Sequence, residues 1–306
     1  MRAGVYRPVE NRGAELLDRI RSGAPLLLDG ATGTELERRG VPTPLPLWSA
    51  PALFDDPEIV EAVHLDYALA GVDALTANTF RTQRRTLARG GWGDRAGDAT
   101  RRAVEIARRA AARAPGTPPF VLGSAPPLQD CYRPDLVPDD ASLAREHAEH
   151  AAHLAAAGVD AVLIETMNTL REAVAALRAA AAAGIPALVS FVCWEGATLL
   201  SGEALRDAAE VAVHEGASAL MVNCLPPRNV GACLPALAGR AVPFGVYANL
   251  GAPDDASGFR RSDDCTPEVF ADQALRWHGA GARILGGCCG TTPEHLRVIA
   301  RRLSEV

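Results

Sequence analysis

Seven cysteines occur in this chain of 306 residues, and two of them are adjacent, as Cys288 and Cys289 in GGCCG. Adjacent cysteines do not readily form a disulfide, because their Cα atoms lie about 3.8 Å apart, below the usual spacing. Both thiolates can nevertheless reach one ion, and the flanking glycines permit the backbone angles that this needs. Cys224 ends another apolar run, and three thiolates with one open position are typical of a catalytic zinc site. The sequence therefore predicts Zn2+ bound by Cys224, Cys288 and Cys289.

The other cysteines have a simpler interpretation. Most free cysteines behave as small buried hydrophobic residues, and we interpret Cys131, Cys193, Cys233 and Cys265 in this way. The same interpretation is one alternative for the three predicted ligands. A structural zinc site is another, although no fourth cysteine or histidine stands at a convincing strand end. The odd number of cysteines and the lack of an export signal indicate reduced thiols.

The elements that would position these residues follow a repeating pattern. Short apolar runs rich in β-branched residues alternate with longer alanine-rich helical patterns, which is typical of a parallel sheet. The eight runs are residues 25–31, 74–80, 120–126, 161–167, 187–194, 219–225, 244–251 and 282–290. Eight such units predict an α/β fold, a single (β/α)8 TIM-type barrel over residues 1–306. The alternative is an open doubly wound sheet, but no G-x-G-x-x-G follows the first run.

Polar residues collect where these runs end. In such barrels the working residues lie at the C-terminal ends of the strands. Besides the three predicted zinc ligands, the run ends carry Asp29, Gly30, Asn78, Thr79, Ser124, Glu165, Cys193, Asn223 and Asn249. We expect them on one rim, with the proline-rich stretches 41–51 and 126–138 forming extended loops on the same side.

Charge and composition exclude several classes of function. A net charge of −6 and a pI near 5.7 argue against nucleic acid as a partner. No apolar run reaches the roughly 18 residues that a membrane span needs, and the start of the chain lacks a secretory signal, so we expect a cytoplasmic protein. The chain has no lysine, which excludes Schiff-base chemistry. We expect small-molecule substrates, and the sequence leaves the oligomeric state open, with a homo-oligomer as one option.

Six stretches, spread over nearly the whole chain, resemble one known family, and GGCCG is the most specific part. They are DGATGTELERRG at 29–40, PLWSAPAL at 46–53, HLDYALAGVDALTANTF at 64–80, IET at 164–166, VNC at 222–224 and GGCCGTTPEHL at 286–296. On these residues the chain resembles the homocysteine S-methyltransferase family. The resemblance implies a barrel that holds zinc and transfers a methyl group to the thiol of homocysteine, forming methionine.

The resemblance also implies how homocysteine is bound. Asp29 and Glu165 match positions that hold its amino group, and two carboxylates suit one ammonium. The backbone N–H groups around Gly30 and Ala31 are expected to bind its carboxylate.

The methyl donor is predicted to be a sulfonium. Trp48 is expected to form a wall for a cationic donor, since cations are attracted to aromatic faces. The phrase LWSA at 47–50 resembles members that use S-methylmethionine or S-adenosylmethionine, and an aromatic content of 5% argues against a dense cage for betaine. Asn78, Thr79 and Asn223 are interpreted as hydrogen-bonding residues behind the site or, equally, as structural caps.

Several alternatives stay open. The acceptor can be another thiol or a selenol, the donor can be of the betaine type, or the chain can be a folate- or cobalamin-dependent methionine synthase module. A non-catalytic zinc-sensing or redox-sensing barrel is the alternative from another class. Residues 124–139 and 248–264 do not closely match the family, and we expect these loops to face the donor.

Two helical features complete the analysis. His147, His150 and His153 lie three residues apart, and we interpret them as part of a solvated helical face rather than a metal site. The sequence TPE at 266–268 and at 292–294 predicts two helix starts with proline in the first turn.

Overall fold

The computed structural model describes residues 12–254, 258–261 and 265–305 of the chain. Within them, eight parallel strands form one sheet and two further strands, β8 and β9, form an antiparallel hairpin. The strands are β1 Leu26–Leu27, β2 Ala74–Ala77, β3 Phe120–Ala125, β4 Ala161–Met167, β5 Ala187–Phe191, β6 Ala219–Asn223, β7 Phe244–Ala248, β8 Gly251–Asp254, β9 Gly258–Arg261 and β10 Ile284–Gly287.

Helices fill the connections between the parallel strands. They are α1 Arg12–Arg21, α2 Gly33–Arg38, α3 Ala52–Asp55, α4 Pro57–Leu69, α5 Arg84–Arg89, α6 Ala96–Ala112, α7 Asp140–Ala157, α8 Leu170–Ala182, α9 Leu205–His214, α10 Pro227–Leu237, α11 Pro267–Gly279 and α12 Pro293–Leu303. The two predicted helix starts are confirmed, because α11 and α12 begin at the prolines of the two TPE sequences. Among the described helices, none has the length and apolar character that crossing a membrane requires.

The sheet closes on itself. Its strand order is β1, β10, β7, β6, β5, β4, β3, β2, and Leu28, directly after β1, forms a parallel bridge with Ala74 at the start of β2. This architecture confirms the predicted barrel and rules out the open sheet. Each of the eight predicted runs contains one strand. Most of these strands are shorter than the run, because the last residues of the run leave the ladder and enter a βα loop.

Side-chain carboxylates help to join the seam between β1 and β2. β1 has only two residues. On one side of the bridge, the Leu27 N–H donates to the carboxylate of Asp73 at 2.8 Å. On the other side, the Thr76 N–H donates to the carboxylate of Asp29 at 2.8 Å. Side-chain carboxylates therefore act as acceptors at positions where a longer ladder would use backbone carbonyl groups.

Apolar side chains fill the barrel, and α1 covers one end. Leu16 and Ile20 of α1 are buried in the same cluster as the inward-facing residues of the strands. Arg12 of α1 donates to the carbonyl of Pro118, just before β3, so this helix lies at the N-terminal ends of the strands. The opposite end, where the strands terminate, is left for the βα loops and for a site.

The two proline-rich stretches lie as loops on this C-terminal side, as predicted. Residues 41–51 are without helix or strand, and residues 126–138 contain one short 3₁₀ turn at Pro134–Leu136. The hairpin β8–β9 was not predicted, since residues 248–264 were expected to form a loop. Residues 255–257 and 262–264 of that stretch lie outside the described residues.

The interpretation of the three spaced histidines as a solvated face was wrong for two of them. His147 and His150 are buried, and only His153 is partly exposed. They share a face of α7 that packs against β3 and α8, where each finds a partner: His147 Nε2 lies 3.2 Å from Glu172 Oε1, and His150 Nε2 lies 3.1 Å from the carbonyl of Ser124. Burial lowers the pKa of His150 to about 4, so this ring is neutral at pH 7.

Candidate active site

Three cysteines meet at the C-terminal rim of the barrel. Cys224 follows β6, and Cys288 and Cys289 follow β10, two strands away. Their sulfur atoms lie within 4.8 Å of one another, with 3.1 Å between those of Cys224 and Cys288. Thiolates on one tetrahedral ion, with Zn–S bonds of about 2.3 Å, lie about 3.8 Å apart. The cluster therefore fits a common ion after small shifts, and no fourth histidine, cysteine or carboxylate joins it within the described part of the chain.

The backbone aims these sulfurs at a common point. Cys224 has φ of 53°, in the left-handed region that non-glycine residues rarely adopt, so its side chain leaves the rim at an angle that a regular strand would not give. The Cys288 N–H donates to the carbonyl of Ala248 at 2.8 Å, and the Cys289 carbonyl accepts from the N–H of Leu250 at 2.7 Å. The end of β7 thus fixes the adjacent pair.

A hydrogen-bonded layer lies behind Cys224. The hydroxyl of Thr166, another residue with positive φ (59°), donates to Cys224 Sγ at 3.8 Å. Asn223 holds this threonine from both sides: its Nδ2 donates to Thr166 Oγ1 at 2.8 Å, and its Oδ1 accepts from the Thr166 N–H at 3.0 Å. Ser190 also donates to Asn223 Oδ1, at 2.7 Å. Asn223 is buried and does not line the pocket, so its structural effect reaches the cluster through Thr166.

The three thiols of the cluster differ in the direction of their pKa shifts. Hydrogen bonds from the thiols of Cys288 and Cys289 hold the pKa of Cys224 well below its usual value. The same contacts raise the pKa of Cys288 and Cys289. A cation at the cluster would stabilise all three as thiolates.

Two buried carboxylates face the same pocket. Asp29 is 4% exposed and accepts the Thr76 N–H described above; burial raises its pKa to about 7, against the opposing effect of its hydrogen bonds. Glu165 accepts from the hydroxyl of Ser124 and, at 3.4 Å, from that of Tyr247; burial, helped by the nearby Cys224 and Asp29, raises its pKa to about 8. Among the described residues, no cationic side chain pairs with either carboxylate. A bound ammonium would supply the missing charge.

The pocket between the cluster and the carboxylates has a volume of about 940 Å³, including space open to solvent. Trp48, Phe80, Tyr132 and Tyr247 line it, four of the chain's 15 aromatic residues (4 Trp, 4 Tyr and 7 Phe). The low aromatic content therefore says little about this site, because the aromatic residues are concentrated here.

Trp48 lies on the wall of this pocket in an unusual conformation. Its φ is 47°, its indole N–H lies 3.4 Å from Glu37 Oε1, and its ring meets that of Phe80 edge to face at 6.1 Å. The ring also covers Gly33, where an added Cβ would lie 2.6 Å from indole atom Cε2. Gly33 therefore permits the position of the indole.

Gly30 and Ala31 also line the pocket, close to Thr291. The Ala31 N–H donates to Thr291 Oγ1 over a long 3.3 Å, so this predicted carboxylate-binding group already has a weak partner. At Gly30, a Cβ would lie 2.6 Å from the same oxygen, which leaves room only for glycine.

Asn78 and Thr79 connect loops and strands. Asn78 lines the pocket, but its amide donates to the carbonyl of Ser49 at 3.0 Å and accepts from the Ser49 hydroxyl at 2.7 Å, which ties the 41–51 loop to the end of β2. Thr79 does not line the pocket. Its hydroxyl donates to the Ser124 carbonyl at 2.9 Å and accepts from the Ser124 N–H at 2.8 Å.

The four other cysteines divide into three environments. Cys193 and Cys233 are buried in the apolar core, as predicted. Cys131 is buried too, but it lines the pocket. The prediction of burial was wrong for Cys265, which is half-buried, because it precedes the N-terminal residue of α11 at the surface end of that helix.

Sequence reasoning missed several residues that line the pocket. They are Phe80, Arg81, Tyr132, Thr166, Tyr247 and others in the same loops. Phe80 and Arg81 come three and four residues after β2, so reading a few positions beyond that strand end would have found them, whereas Thr166 lies inside β4, directly after Glu165. Tyr132 lies deep in a loop, where no local pattern indicates which way a side chain points.

Comparisons with known proteins agree with this geometry. The family model for homocysteine S-methyltransferase matches residues 26–303. The homocysteine S-methyltransferase of Escherichia coli is 35% identical over 296 residues, covering 90% of this chain and 94% of that protein. The selenocysteine Se-methyltransferase of Brassica oleracea var. italica is 29% identical over 312 residues, covering 92% and 91%. The crystal structure of the homocysteine methyltransferase MmuM from Escherichia coli, metallated form, aligns with a TM-score of 0.82 at 31% identity, covering 95% of this chain and 100% of that chain.

Proposed function

Because the chain belongs to the homocysteine S-methyltransferase family and is a methyltransferase, we propose that it methylates the thiol of homocysteine, forming methionine, with Zn2+ as its metal and a sulfonium donor. The donor would be S-methylmethionine or S-adenosylmethionine. One observation carries the proposal: three thiols within 4.8 Å of one another share a pocket with two buried carboxylates that lack a cation. Such a pocket suits a small molecule with both an ammonium and a thiol.

The donor set of the cluster fits zinc. Three soft thiolates favour Zn2+ over hard cations such as Mg2+, and Cys224, Cys288 and Cys289 would be its protein ligands. Bound zinc would supply a Lewis acid that keeps the substrate thiol deprotonated at neutral pH. Asn223 contributes by orienting Thr166 toward Cys224, as groups behind metal ligands commonly do.

Homocysteine would bind at the side of the pocket that carries Asp29, Gly30, Ala31 and Glu165, which we call the floor. Its ammonium would lie between Asp29 and Glu165, which lowers the pKa of both carboxylates back toward their usual values. Its carboxylate would accept from the backbone around Gly30 and Ala31, where the weak bond to Thr291 can be exchanged for a stronger one. These contacts would place the sulfur atom at the cysteine cluster.

The methyl donor would approach from the side of the pocket lined by Trp48 and Phe80, which we call the aromatic wall. The faces of Trp48 and Phe80 would attract a cation, and Asn78 holds the loop that carries Trp48. The concentration of aromatic residues also keeps a betaine-type donor among the alternatives. Loop residues 126–138 contribute Cys131 and Tyr132 to the same wall, in keeping with the expectation that this loop faces the donor.

The first experiment follows an isotope-labelled methyl group from S-methylmethionine to homocysteine with purified protein and measures zinc in the same sample. We expect methionine and one zinc per chain. Cys288→Ala is expected to lose both. Cys265→Ala is the matched control, because it removes a half-buried thiol outside the cluster, and it should keep both.

Other outcomes would redirect the proposal. Transfer to selenocysteine in preference to homocysteine would favour the activity for which the Brassica relative is named. Transfer from betaine alone would replace the sulfonium donor. Zinc without binding of any amino-acid thiol would favour the sensing barrel. A cytoplasmic location, a homo-oligomer and one barrel domain over residues 1–306 stay predictions from the sequence.

A further inference from the structure

Arg81 lies in the pocket, between β2 and α5, and the proposed chemistry of zinc and homocysteine does not use it. Among the described residues that line the pocket, it is the only one with a positively charged side chain. Its guanidinium carbon lies 5.2 Å from the centre of the Phe80 ring, beside the aromatic wall that Phe80 forms with Trp48.

Arg81 contacts the Phe80 ring and feels the charge of the nearby Asp130, but it forms no hydrogen bond or ion pair in the part of the chain that the structure describes. Its Nε is buried and makes no hydrogen bond, and no carboxylate lies within 4.0 Å of the guanidinium. Arg85, one turn later, shows the ordinary arrangement: Nε and Nη2 donate to the two carboxylate oxygens of Glu146 at 2.7 Å each. Burial also lowers the pKa of Arg81. Arginine nitrogens that are shielded from water are normally paired, so a half-buried arginine with an unpaired Nε in a pocket indicates a site for an anionic group.

The pocket is therefore charged differently at its two sides. Asp29 and Glu165 are acidic groups at the floor that would become negatively charged when an ammonium binds, and Arg81 supplies positive charge beside the aromatic wall. A donor with an onium group and a carboxylate would match the second side, with its cation at the aromatic rings and its carboxylate at the guanidinium. Homocysteine already has backbone donors for its own carboxylate near Gly30, on the floor.

We propose that Arg81 binds the carboxylate of the methyl donor and so selects onium donors that carry one. This inference rests on the proposed function, because it assumes that the second molecule in the pocket is an onium methyl donor. Arg81 touches the donor away from the transferred methyl group. It is thus a specificity-determining residue for the donor.

The test compares two sulfonium ions that differ in the carboxylate: S-methylmethionine and its decarboxylated analogue, (3-aminopropyl)dimethylsulfonium. Binding to zinc-loaded protein is measured by calorimetry, without an acceptor, for the wild type, Arg81→Gln and Arg81→Lys. A charge-assisted bidentate contact predicts that the wild type prefers S-methylmethionine by about 10- to 100-fold and that Arg81→Gln removes the preference. Arg81→Lys should keep part of it.

Arg84→Gln is the matched control, since Arg84 lies three residues later and is exposed, with Glu149 and Asp94 as partners. It should behave as the wild type. Thermal unfolding of each variant checks folding, and Arg81→Lys keeps the test valid if Arg81→Gln is unstable. In turnover assays, Arg81→Gln should raise KM for S-methylmethionine and leave KM for homocysteine unchanged.

The outcomes separate this inference from the proposed function. Binding selectivity that depends on Arg81, in a protein that transfers no methyl group, would support the inference and refute the function. An unchanged preference in Arg81→Gln, a rise in KM for homocysteine instead, or no binding of either sulfonium to the wild type would overturn the inference.

Discussion

Replacing Asp29 with asparagine is expected to stabilise the ligand-free protein at alkaline pH and, at the same time, to weaken its binding of homocysteine. The carboxylate is buried without a cation, and its hydrogen bond from the Thr76 N–H does not offset the loss of hydration. Asparagine is neutral at every pH and can accept the same hydrogen bond through its Oδ1 atom.

The magnitude follows from the pKa of Asp29, which is raised from 3.8 to about 7. At about 1.4 kcal/mol per pKa unit, this corresponds to about 4 kcal/mol when the group is fully ionised in both folded and unfolded chains. Between pH 3.8 and about 7 the unfolded chain has released the proton and the folded protein still holds it. The free energy of unfolding therefore falls as pH rises through this window, and about 2–3 kcal/mol of the effect develops between pH 5 and pH 8.5.

Urea unfolding of the wild type and Asp29→Asn at these two pH values measures the effect. The variant should be more stable at pH 8.5, and its advantage should shrink by about 2–3 kcal/mol at pH 5. Asp160→Asn is the matched control. Asp160 is also buried and accepts the Val121 N–H, but Arg108 pairs with it at 2.6 Å. Removing that charge should destabilise the protein, because Arg108 loses its partner.

Homocysteine binding completes the test. Loss of one charge-assisted contact to the ammonium should raise the dissociation constant about 10- to 100-fold in Asp29→Asn. If Asp29→Asn unfolds more easily than the wild type at pH 8.5, the carboxylate is a structural acceptor for Thr76 and the reasoning is wrong. Unchanged affinity for homocysteine would refute the assigned role even if the variant were stabilised.

Three further changes test other parts of the site. Binding of L-2-aminobutyrate, which has the amino group of homocysteine but no thiol, should release protons at pH 7.5, because an ammonium lowers the pKa of Glu165 from about 8. Calorimetry in two buffers of different ionisation enthalpy detects the release, and Glu165→Gln should reduce it. A binding enthalpy that does not depend on the buffer would contradict the proposed contact between Glu165 and the ammonium. Asn223→Ala should weaken zinc affinity about 10- to 100-fold in a chelator competition, because it removes the hydrogen bond from Asn223 that orients Thr166. Equal zinc affinity of variant and wild type would show that Thr166 is oriented without Asn223. Gly33→Ala would place a methyl group against the indole of Trp48, 2.6 Å from its Cε2 atom, so KM for the donor should rise with circular dichroism unchanged. An unchanged KM would argue against contact between Trp48 and the donor.

The barrel and the cysteine cluster could be predicted from the sequence because both depend on regular features. Parallel strands buried on both faces give continuous apolar runs, and closing eight of them brings every run end to one rim. Cys224, Cys288 and Cys289 lie just beyond two of these ends, so their proximity follows from topology alone. The family predicted from the motifs is confirmed by the family match.

Other features depend on contacts that no local pattern contains. His147 and His150 resemble surface residues in sequence, and their burial depends on partners that β3 and α8 supply. Arg81 lies beyond a strand end in a polar stretch, and its lack of a partner is visible only once the pocket around it is formed. The left-handed backbone of Thr166 likewise follows from its contacts with Asn223, more than 50 residues away in sequence.

The seam between β1 and β2 has a consequence for how the barrel opens. Here the carboxylates of Asp73 and Asp29 accept two of the amides beside a single backbone bridge, whereas the β3–β4 pair combines one such contact, to Asp160, with a full backbone ladder. Protonation or a bound cation changes the strength of such an acceptor, which is not true of a peptide carbonyl. The exchange rate of the Thr76 amide hydrogen therefore reports on the charge state of Asp29. A substrate that keeps Asp29 ionised would strengthen this hydrogen bond and so stabilise the contact between β1 and β2. It would slow the exchange of the Thr76 amide hydrogen, while the ladder amides of β5 and β6 keep their exchange rates.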